Sequence, residues 1–410
     1  MSIQGIFNTT GLKSTNDLTK LSFSSMITRL MPNGTAPLFA LTSYLKSETA
    51  LQTEHGYFAK SALFPYIVLG AAVTTTTETS FTVDSTESIV PGMILQLNNT
   101  TKENVLVEAV ISDTVIQVRR GVGSTAATAV IDTPAFMVGN AYEEASVRPI
   151  PLNITPRRIT NLTQIFRNSW AISDTVRATQ VIAGDTTESE SRQDCAALHA
   201  QSIEAALFFG KKFSGVRNGQ PIRTMDGLIN IVSNINNYPS SYAVPNVFNA
   251  GGTTNFTQLE GFLDPVFNQT TDPKVANERV LFVGGKARSV LNNIGRLNST
   301  YYMENGETSF GLQFATFKTS RGTFRMIEHP LFNSNDVWAK MAVAVDLSSI
   351  GVAYLNGRQT QNKEFNADGK TAQDFGIDAV GGTLTTECTM LVKNPPANAI
   401  ITGLTAAAAG

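Results

Sequence analysis

Between Phe81 and Gly139 the chain is a succession of short β-forming runs set off by turn residues, and this stretch limits the fold more than any other. It opens with FTVDSTESIVPGMILQL. Phe81 and Val83 alternate with polar partners, and Pro91-Gly92 turns the chain into the apolar run Met93 to Leu97. VLVEAVI and TVIQVRRG then flank Ser112-Asp113, a hairpin signal, though a weaker one than Asn-Gly. AFMVG, Ala135 to Gly139, closes the unit. Four or five short strands within about 65 residues make a small sandwich or barrel. So small a unit is marginal alone, and we expect it to lean on its host or on a neighbour.

The flanks are extended. Gly56 to Leu69 reads as one strand, an edge strand or one bent at Pro65. Across Ala145 to Thr175, Pro149, Pro151 and Pro156 forbid a helix in the first half, and ITNLTQIFRNSWAIS reads as one long strand. The simplest geometry is a two-stranded arm that carries the β unit near its tip. One strong helix follows, Thr187 to Phe209. Thr187 and Glu190 offer a capping box, and Asp185 and Glu188 suit the positive end of the helix dipole. Ala196, Ala200, Ile203 and Leu207 recur at helical spacing, and Gly210 with Lys211 and Lys212 ends the element.

The remainder reads as α+β. Met225 to Asn234 is a helix, Asn237 to Thr254 a loop, and FTQLEGFLDPVF a helix bent or ended by Pro265. A strand at Arg279 to Val283 feeds a helix at Lys286 to Ile294, and a hairpin turns at Arg321-Gly322. WAKMAVAVDLSSIGVAYL is apolar strand and turn, and the last β segment is split by Gly381-Gly382. Met1 to Pro37 reads as an extended arm, Leu38 to Leu45 as a helical turn or two, and TAAAAG as an unstructured tail.

Charged residues make up 16% of the 410, against roughly 25% in an average soluble domain. Either a Thr/Asn/Ser-rich surface keeps the chain soluble, or other subunits cover much of it; we read the second, because interface cores are depleted in charge. The formal net charge is −2 and no basic run exceeds two residues, so no concentrated positive face exists for gripping nucleic acid. Cys195 and Cys388 lie far apart and read as small buried hydrophobes. The first thirty residues lack a signal-peptide pattern, and no apolar run reaches the roughly 18 residues of a membrane span.

Searches for chemistry return little. VLFVGGKARS places Val280 and Ala287 where a phosphate loop needs Gly and Ser/Thr. His55, His199 and His329 fall in separate segments with no ligand partner at helical spacing, and read as surface or satisfied core histidines. Glu143-Glu144, beside Tyr142, would face opposite sides of a strand, which suits an intersubunit salt bridge or plain solvation better than catalysis. We assign no catalytic residue, no cofactor site and no metal site.

Taken in order, these segments resemble the major capsid protein of tailed bacteriophages, in the subfamily that carries a small β module within its extended loop. GYFAKSALFP, TVDSTESIVPGMILQL, VRRGVG and GNAYEEAS carry the resemblance, followed by NLTQIFRNSWAISDTVRAT running into ESRQDCAALHAQSIEAALFFGKK. IRTMDGLIN and FKTSRGTFRMI continue it, over about Gly56 to Val392. The resemblance implies an α+β capsid fold. Residues 1–53 would be an N-terminal arm, and 54–176 an extended loop with a small β domain inserted at 72–138. Residues 177–224 would be a peripheral domain with a spine helix, 225–347 an axial domain, and 348–410 C-terminal strands returning to the peripheral domain plus a tail. It also implies homo-pentamers and homo-hexamers, portal and scaffold partners, only weak contact with packaged DNA, no membrane, and assembly of the virion in the host cytoplasm. Tyr57, Phe58, Tyr142, Glu143 and Glu144 are the expected subunit-interface residues. Some capsid proteins of this fold crosslink through a Lys and an Asn, but no motif ties Lys60 or Asn394 to that chemistry, and no crosslink is expected.

Two other classes fit less well. A tail-tube, decoration or adhesion protein explains the β unit but not the long capped helix. A cytoplasmic enzyme with an inserted β domain needs convergent polar groups in a pocket, and the sequence offers none.

Overall fold

The computed structural model describes residues 36–44, 47–60, 66–152, 156–179, 187–238, 245–269, 277–297, 304–309, 312–365 and 379–408. The expected arm before residue 36 lies outside them, as do the helix-preceding Asp185 and Pro65. The chain divides into two compact units. One takes in residues 166–202 and 360–386, the other 36–165, 203–359 and 387–410. The helix Thr187–Phe209 and the strand Ala379–Val392 each begin in the first unit and end in the second.

The larger unit holds a seven-stranded mixed sheet in the order Val247–Thr254, Ala399–Ala407, Ala342–Val345, Glu278–Val283, Thr323–Glu328, Leu312–Lys318, Glu304–Ser309. Its Glu278–Val283 strand is buried at five consecutive positions and runs parallel to Thr323–Glu328. Four of the five, Val280 to Val283, are apolar, as a strand covered on both faces requires, and the fifth is Arg279. The helix Gly285–Leu297 turns Ala287, Val290, Leu291 and Ile294 into the same core as Leu281, Phe317 and Phe324, at the three-and-four spacing of an amphipathic helix. Gly284-Gly285 make a plain strand-to-helix turn, with the Gly285 N–H donating to Asn333 Oδ1 at 2.6 Å.

Several sequence readings are corrected. Residues Val247–Thr254, expected as loop, form a strand parallel to Ala399–Ala407; the irregular register at Gly252 accommodates the glycines, and the partner strand supplies the ladder that local propensity does not. For the same reason Thr405 to Ala407 are strand rather than tail, and the Ala408 N–H donates to Thr254 O at 2.9 Å. Ala379–Val392 is continuous through Gly381-Gly382, because Gly382 leaves room for Trp170: an added Cβ would stand 2.8 Å from Trp170 Nε1. The helix expected from Met225 starts only at Leu228, since Gln164 and Asn161 side chains hold the N–H groups of Met225 and Asp226.

The long helix has the limits read from sequence, Thr187–Phe209. Its buried face differs. Cys195, His199, Ile203, Glu204, Leu207 and Phe208 are buried, while Ala196 is exposed. A count of apolar residues alone misses a face that includes two partnered polar groups. Glu204 accepts hydrogen bonds from the N–H groups of Leu38 and Phe39, which open the helix Pro37–Tyr44, at 2.8 and 2.7 Å. It also accepts one from His329 Nε2 at 2.7 Å, and His329 Nδ1 in turn accepts from the Leu331 N–H.

In the smaller unit, Gln361–Phe365 pairs antiparallel with residues 381–385. His199 is a satisfied core histidine there: Nδ1 donates to Asn168 Oδ1 and Nε2 accepts from the Thr386 hydroxyl, both at 2.8 Å. Cys195 and Cys388 are both free and buried. Burial pushes the Cys388 thiol up to about 12, which suits an inert packing role.

Candidate functional site

The two extended flanks are each divided. Glu54–Ala59 pairs antiparallel with Arg157–Leu162, from Glu54 opposite Leu162 to Ala59 opposite Arg157, and makes a two-stranded ribbon. Tyr66–Val68 belongs to a different sheet. The single long strand expected through ITNLTQIFRNSWAIS breaks at Thr163, whose N–H donates to Thr53 O at 2.8 Å and whose hydroxyl donates to Glu387 Oε1 at 2.9 Å.

The ribbon is fastened at its root. Asn161 is buried and uses its whole hydrogen-bonding capacity: Nδ2 donates to the carbonyls of Asp226 (3.0 Å) and Met390 (2.8 Å), while Oδ1 accepts from the N–H groups of Asp226 and Leu162, both at 2.8 Å. Tyr57 turns inward and its hydroxyl donates to Val392 O at 2.5 Å. Burial raises the Tyr57 phenol far above its ordinary value, so it stays a neutral donor. Phe58, next along the strand, points the other way and is 72% exposed.

Beyond Tyr66 the chain forms a six-stranded antiparallel sheet in the order Tyr66–Val68, Pro134–Asn140, Met93–Leu97, Asn104–Ser112, Val115–Arg119, Ser80–Thr82. Its two outer strands meet. The Gly70 N–H donates to Thr82 O and the Asp84 N–H to Val68 O, each at 2.9 Å, and Leu69 bridges Val83. The sheet is therefore a closed barrel with no free edge. Its interior is filled by side chains including Leu69, Phe81, Leu95, Val105, Ile116 and Val118.

Tyr142, Glu143 and Glu144 lie just past the barrel's Pro134–Asn140 strand and not on a strand, which corrects the opposite-faces argument for the two glutamates. The Tyr142 hydroxyl donates to Pro91 O at 3.2 Å. Its ring covers Gly92, whose φ of +94° and lack of Cβ permit the approach. Glu143 and Glu144 are exposed. An open cleft of about 470 Å³ separates this segment from the barrel base, with Leu106, Glu108, Arg119, Tyr142, Val147 and Ile150 on its walls. The Tyr57 hydroxyl bonds to Val392 and the Tyr142 hydroxyl to Pro91, and the two residues stand on strands or flanks of different sheets. The five expected interface residues thus form two groups, one on the ribbon and one at the barrel base.

Sequence reading missed the hairpin Phe213–Arg217 with Gln220–Thr224, although Asn218-Gly219 announces it; both turn residues have positive φ, at 51° and 73°. It also missed Asn161 and Glu204, for which no local pattern exists.

None of these groups forms a reaction centre. Among the described residues, no cluster of three or more His, Cys, Asp or Glu side chains is placed to hold a metal ion. What the geometry offers is surface: a fastened ribbon, a closed barrel and exposed apolar side chains. The model of the SU10 major capsid protein family matches residues 6–405 of the chain. The chain belongs to that family. The major capsid protein of Pseudomonas phage PaMx41 is 35% identical, over 98% of this chain and 96% of that protein. Among solved structures, one of Mycobacterium phage Bobi is similar over 97% of this chain and 98% of its own, at 10% identity and a TM-score of 0.48. The capsid of an empty GTA particle is similar over 97% and 99%, at 9% identity and a TM-score of 0.48.

A member of this family is a structural subunit of a bacteriophage capsid rather than an enzyme. Its α+β fold is that of a tailed-phage major capsid protein. A capsid is built from copies of its major protein, so self-association belongs to the assignment. Among the described residues, no helix is long and apolar enough to cross a membrane.

Proposed function

We propose that copies of this chain join as pentamers and hexamers into the icosahedral head that encloses a phage genome, assembled in the host cytoplasm around a portal and a scaffold. The family match across residues 6–405 is the observation that carries this reading. In it, residues 1–53 are the N-terminal arm and 54–176 an extended loop with the barrel inserted. Residues 177–224 hold the spine helix of the peripheral domain, 225–347 form the axial domain, and 348–410 return to the peripheral domain.

The ribbon supports the loop assignment. The ribbon is fastened along its Tyr57 side but exposes Phe58 on the other, 72% exposed, and the nearby Leu51, 76% exposed. A neighbouring subunit under the ribbon supplies the cover these side chains lack. The net charge of −2 suits an inner surface that meets packaged DNA only weakly. Rings of five and six follow from heterologous contacts that close.

Particle stoichiometry tests the reading. Purified particles separated on a denaturing gel should show this chain as the dominant band, without covalent ladders after boiling. A minor band would instead assign the chain to a decoration or tail role.

A further inference from the structure

Three segments of the smaller unit meet at His199. The residue sits on the helix Thr187–Phe209 and is 4% exposed. Its Nδ1–H donates to Asn168 Oδ1 on the strand Gln164–Ser173, and its Nε2 accepts from the Thr386 hydroxyl on the strand Ala379–Val392. Thr386 spends its hydroxyl proton on His199, so its oxygen accepts from the Thr360 hydroxyl, 2.8 Å away. Thr360 is exposed. A file of hydrogen bonds therefore runs from solvent through Thr360 and Thr386 to the buried ring.

No opposite charge stands at the ring. On its own helix Arg192 and Asp194 are exposed, and Glu204 is taken up by His329 and the N–H groups of Leu38 and Phe39. On Gln164–Ser173, alternation puts the exposed Arg167 on the face away from Asn168. On Ala379–Val392, Glu387 follows Thr386 and faces the other way, toward Thr163 and Arg358. Lys363 and Glu364 on Gln361–Phe365 are exposed, and burial keeps the Cys195 and Cys388 thiols neutral. Burial alone thus acts on the imidazole and holds it below its ordinary value of 6.5. The hydroxyl file lets a proton in without unfolding. Thr386 passes its hydroxyl proton to Nε2, Thr360 passes its own to Thr386, and hydronium in the solvent restores the proton on Thr360 and leaves as water. Each hydroxyl ends with one proton, and the ring has gained one charge. That charge is buried among neutral partners, which the closed packing disfavours.

We propose that His199 is an acid-operated latch: neutral, it clasps the helix to both strands, and protonated through Thr360 and Thr386 it lets those segments part. The opened segment takes a proton at the ordinary value of a histidine, whereas the closed one resists it. The clasp is therefore at full strength above pH 6.5 and weakens as pH falls below that value. The latch belongs to the folded chain and does not depend on shell formation.

Two measurements on the purified full-length chain test it. Exchange of the imidazole C2 hydrogen, read by mass spectrometry, gives the titration midpoint of each histidine without mutation. The His199 midpoint should lie below pH 6.5, and a midpoint at or above that value overturns the inference. Backbone amide exchange, corrected for its intrinsic pH dependence, should rise several-fold from about pH 7.5 to about pH 5.5 over residues 166–173, 190–202 and 379–386. It should stay level over residues 93–119 of the barrel, which holds no histidine. His199→Gln should abolish the rise. No rise in wild type, an equal rise in the barrel, or a rise that persists in His199→Gln overturns the latch. If His199→Gln does not fold, the two wild-type readings decide alone.

Discussion

Arg120 and Glu103 meet inside the barrel in a two-point pairing, Nε to Oε1 and Nη2 to Oε2, each at 2.7 Å. Their side chains are 7% and 0% exposed. The carboxylate also accepts the N–H groups of Gly121 and Ala127, at 3.1 and 3.0 Å. The guanidinium also donates to the carbonyls of Thr75, Glu78 and Ala127 and lies over the Phe81 ring, 5.2 Å from its centre. One ion pair with its hydrogen bonds met thus ties three loops to the barrel core, and planar two-point geometry is why the cation is arginine.

Removing one partner should be costly. Arg120→Met leaves a buried carboxylate without its counter-charge, a loss of about 3–5 kcal/mol. Thermal unfolding followed by circular dichroism should show an earlier transition for the barrel. Replacing both partners, Glu103→Leu with Arg120→Met, should recover part of the loss, because no charge is then stranded. An unchanged melting curve for Arg120→Met would contradict the account.

The same pair makes the barrel acid-sensitive. Burial alone would raise the Glu103 carboxyl, but hydrogen bonds from Arg120, Ala127 and Gly121 outweigh it and hold the group below its ordinary value of 4.5. A carboxyl lowered in the folded state stabilises fully above its unfolded value, and that stability is lost as pH falls through the folded value. Barrel stability should therefore be flat near neutrality and fall in acid below pH 4.5. Glu103→Gln should be less stable at neutral pH and show a shallower acid decline. Equal acid slopes for the two proteins would refute the assignment.

Glu204 should be as demanding. Glu204→Ala leaves the Nε2–H of His329 and the N–H groups of Leu38 and Phe39 without their acceptor in a buried site. Each unmet buried group costs about 1–3 kcal/mol. The helix Pro37–Tyr44 should loosen first, seen as faster amide exchange over residues 38–44 than in wild type. Unchanged protection there would show that packing alone holds the helix.

The barrel should be removable. Tyr66 and Phe136 are paired on neighbouring antiparallel strands, so excising Ile67 to Ala135 leaves ends only about 5.5 Å apart. An Asn-Gly turn spans that gap. The remaining chain should keep a cooperative melt and show a more helical far-ultraviolet signature per residue, because the excised segment holds strands and no helix. Shells made from it should disassemble at lower denaturant. Loss of folding would mean that the barrel is integral to the body it joins.

How much of this was legible in the sequence depended on the range of the forces involved. The long helix could be placed because its signals are local, and the hairpin at Arg321-Gly322 likewise: Leu312–Lys318 and Thr323–Glu328 pair around it. The strand Val247–Thr254 could not be placed. Asn249, Gly251 and Gly252 argue against a strand, and its partner, Ala399–Ala407, lies some 150 residues onward. The helix stripe was misread at Ala196 because His199 and Glu204 are buried by partners that no periodicity reveals. Tyr57 and Phe58 illustrate both cases. Alternation on a strand puts them on opposite sides, but only the structure pairs the Tyr57 hydroxyl with Val392. The fastening at Asn161 is silent in sequence, because one buried asparagine looks like any other.

The central claim is that this chain builds a closed shell from copies of itself. Negative-stain electron microscopy of the purified chain, with and without a co-expressed scaffold, tests it most directly. The account predicts closed shells, or rings of five and six subunits. Tubes, or a single small species that never assembles in either preparation, would contradict it.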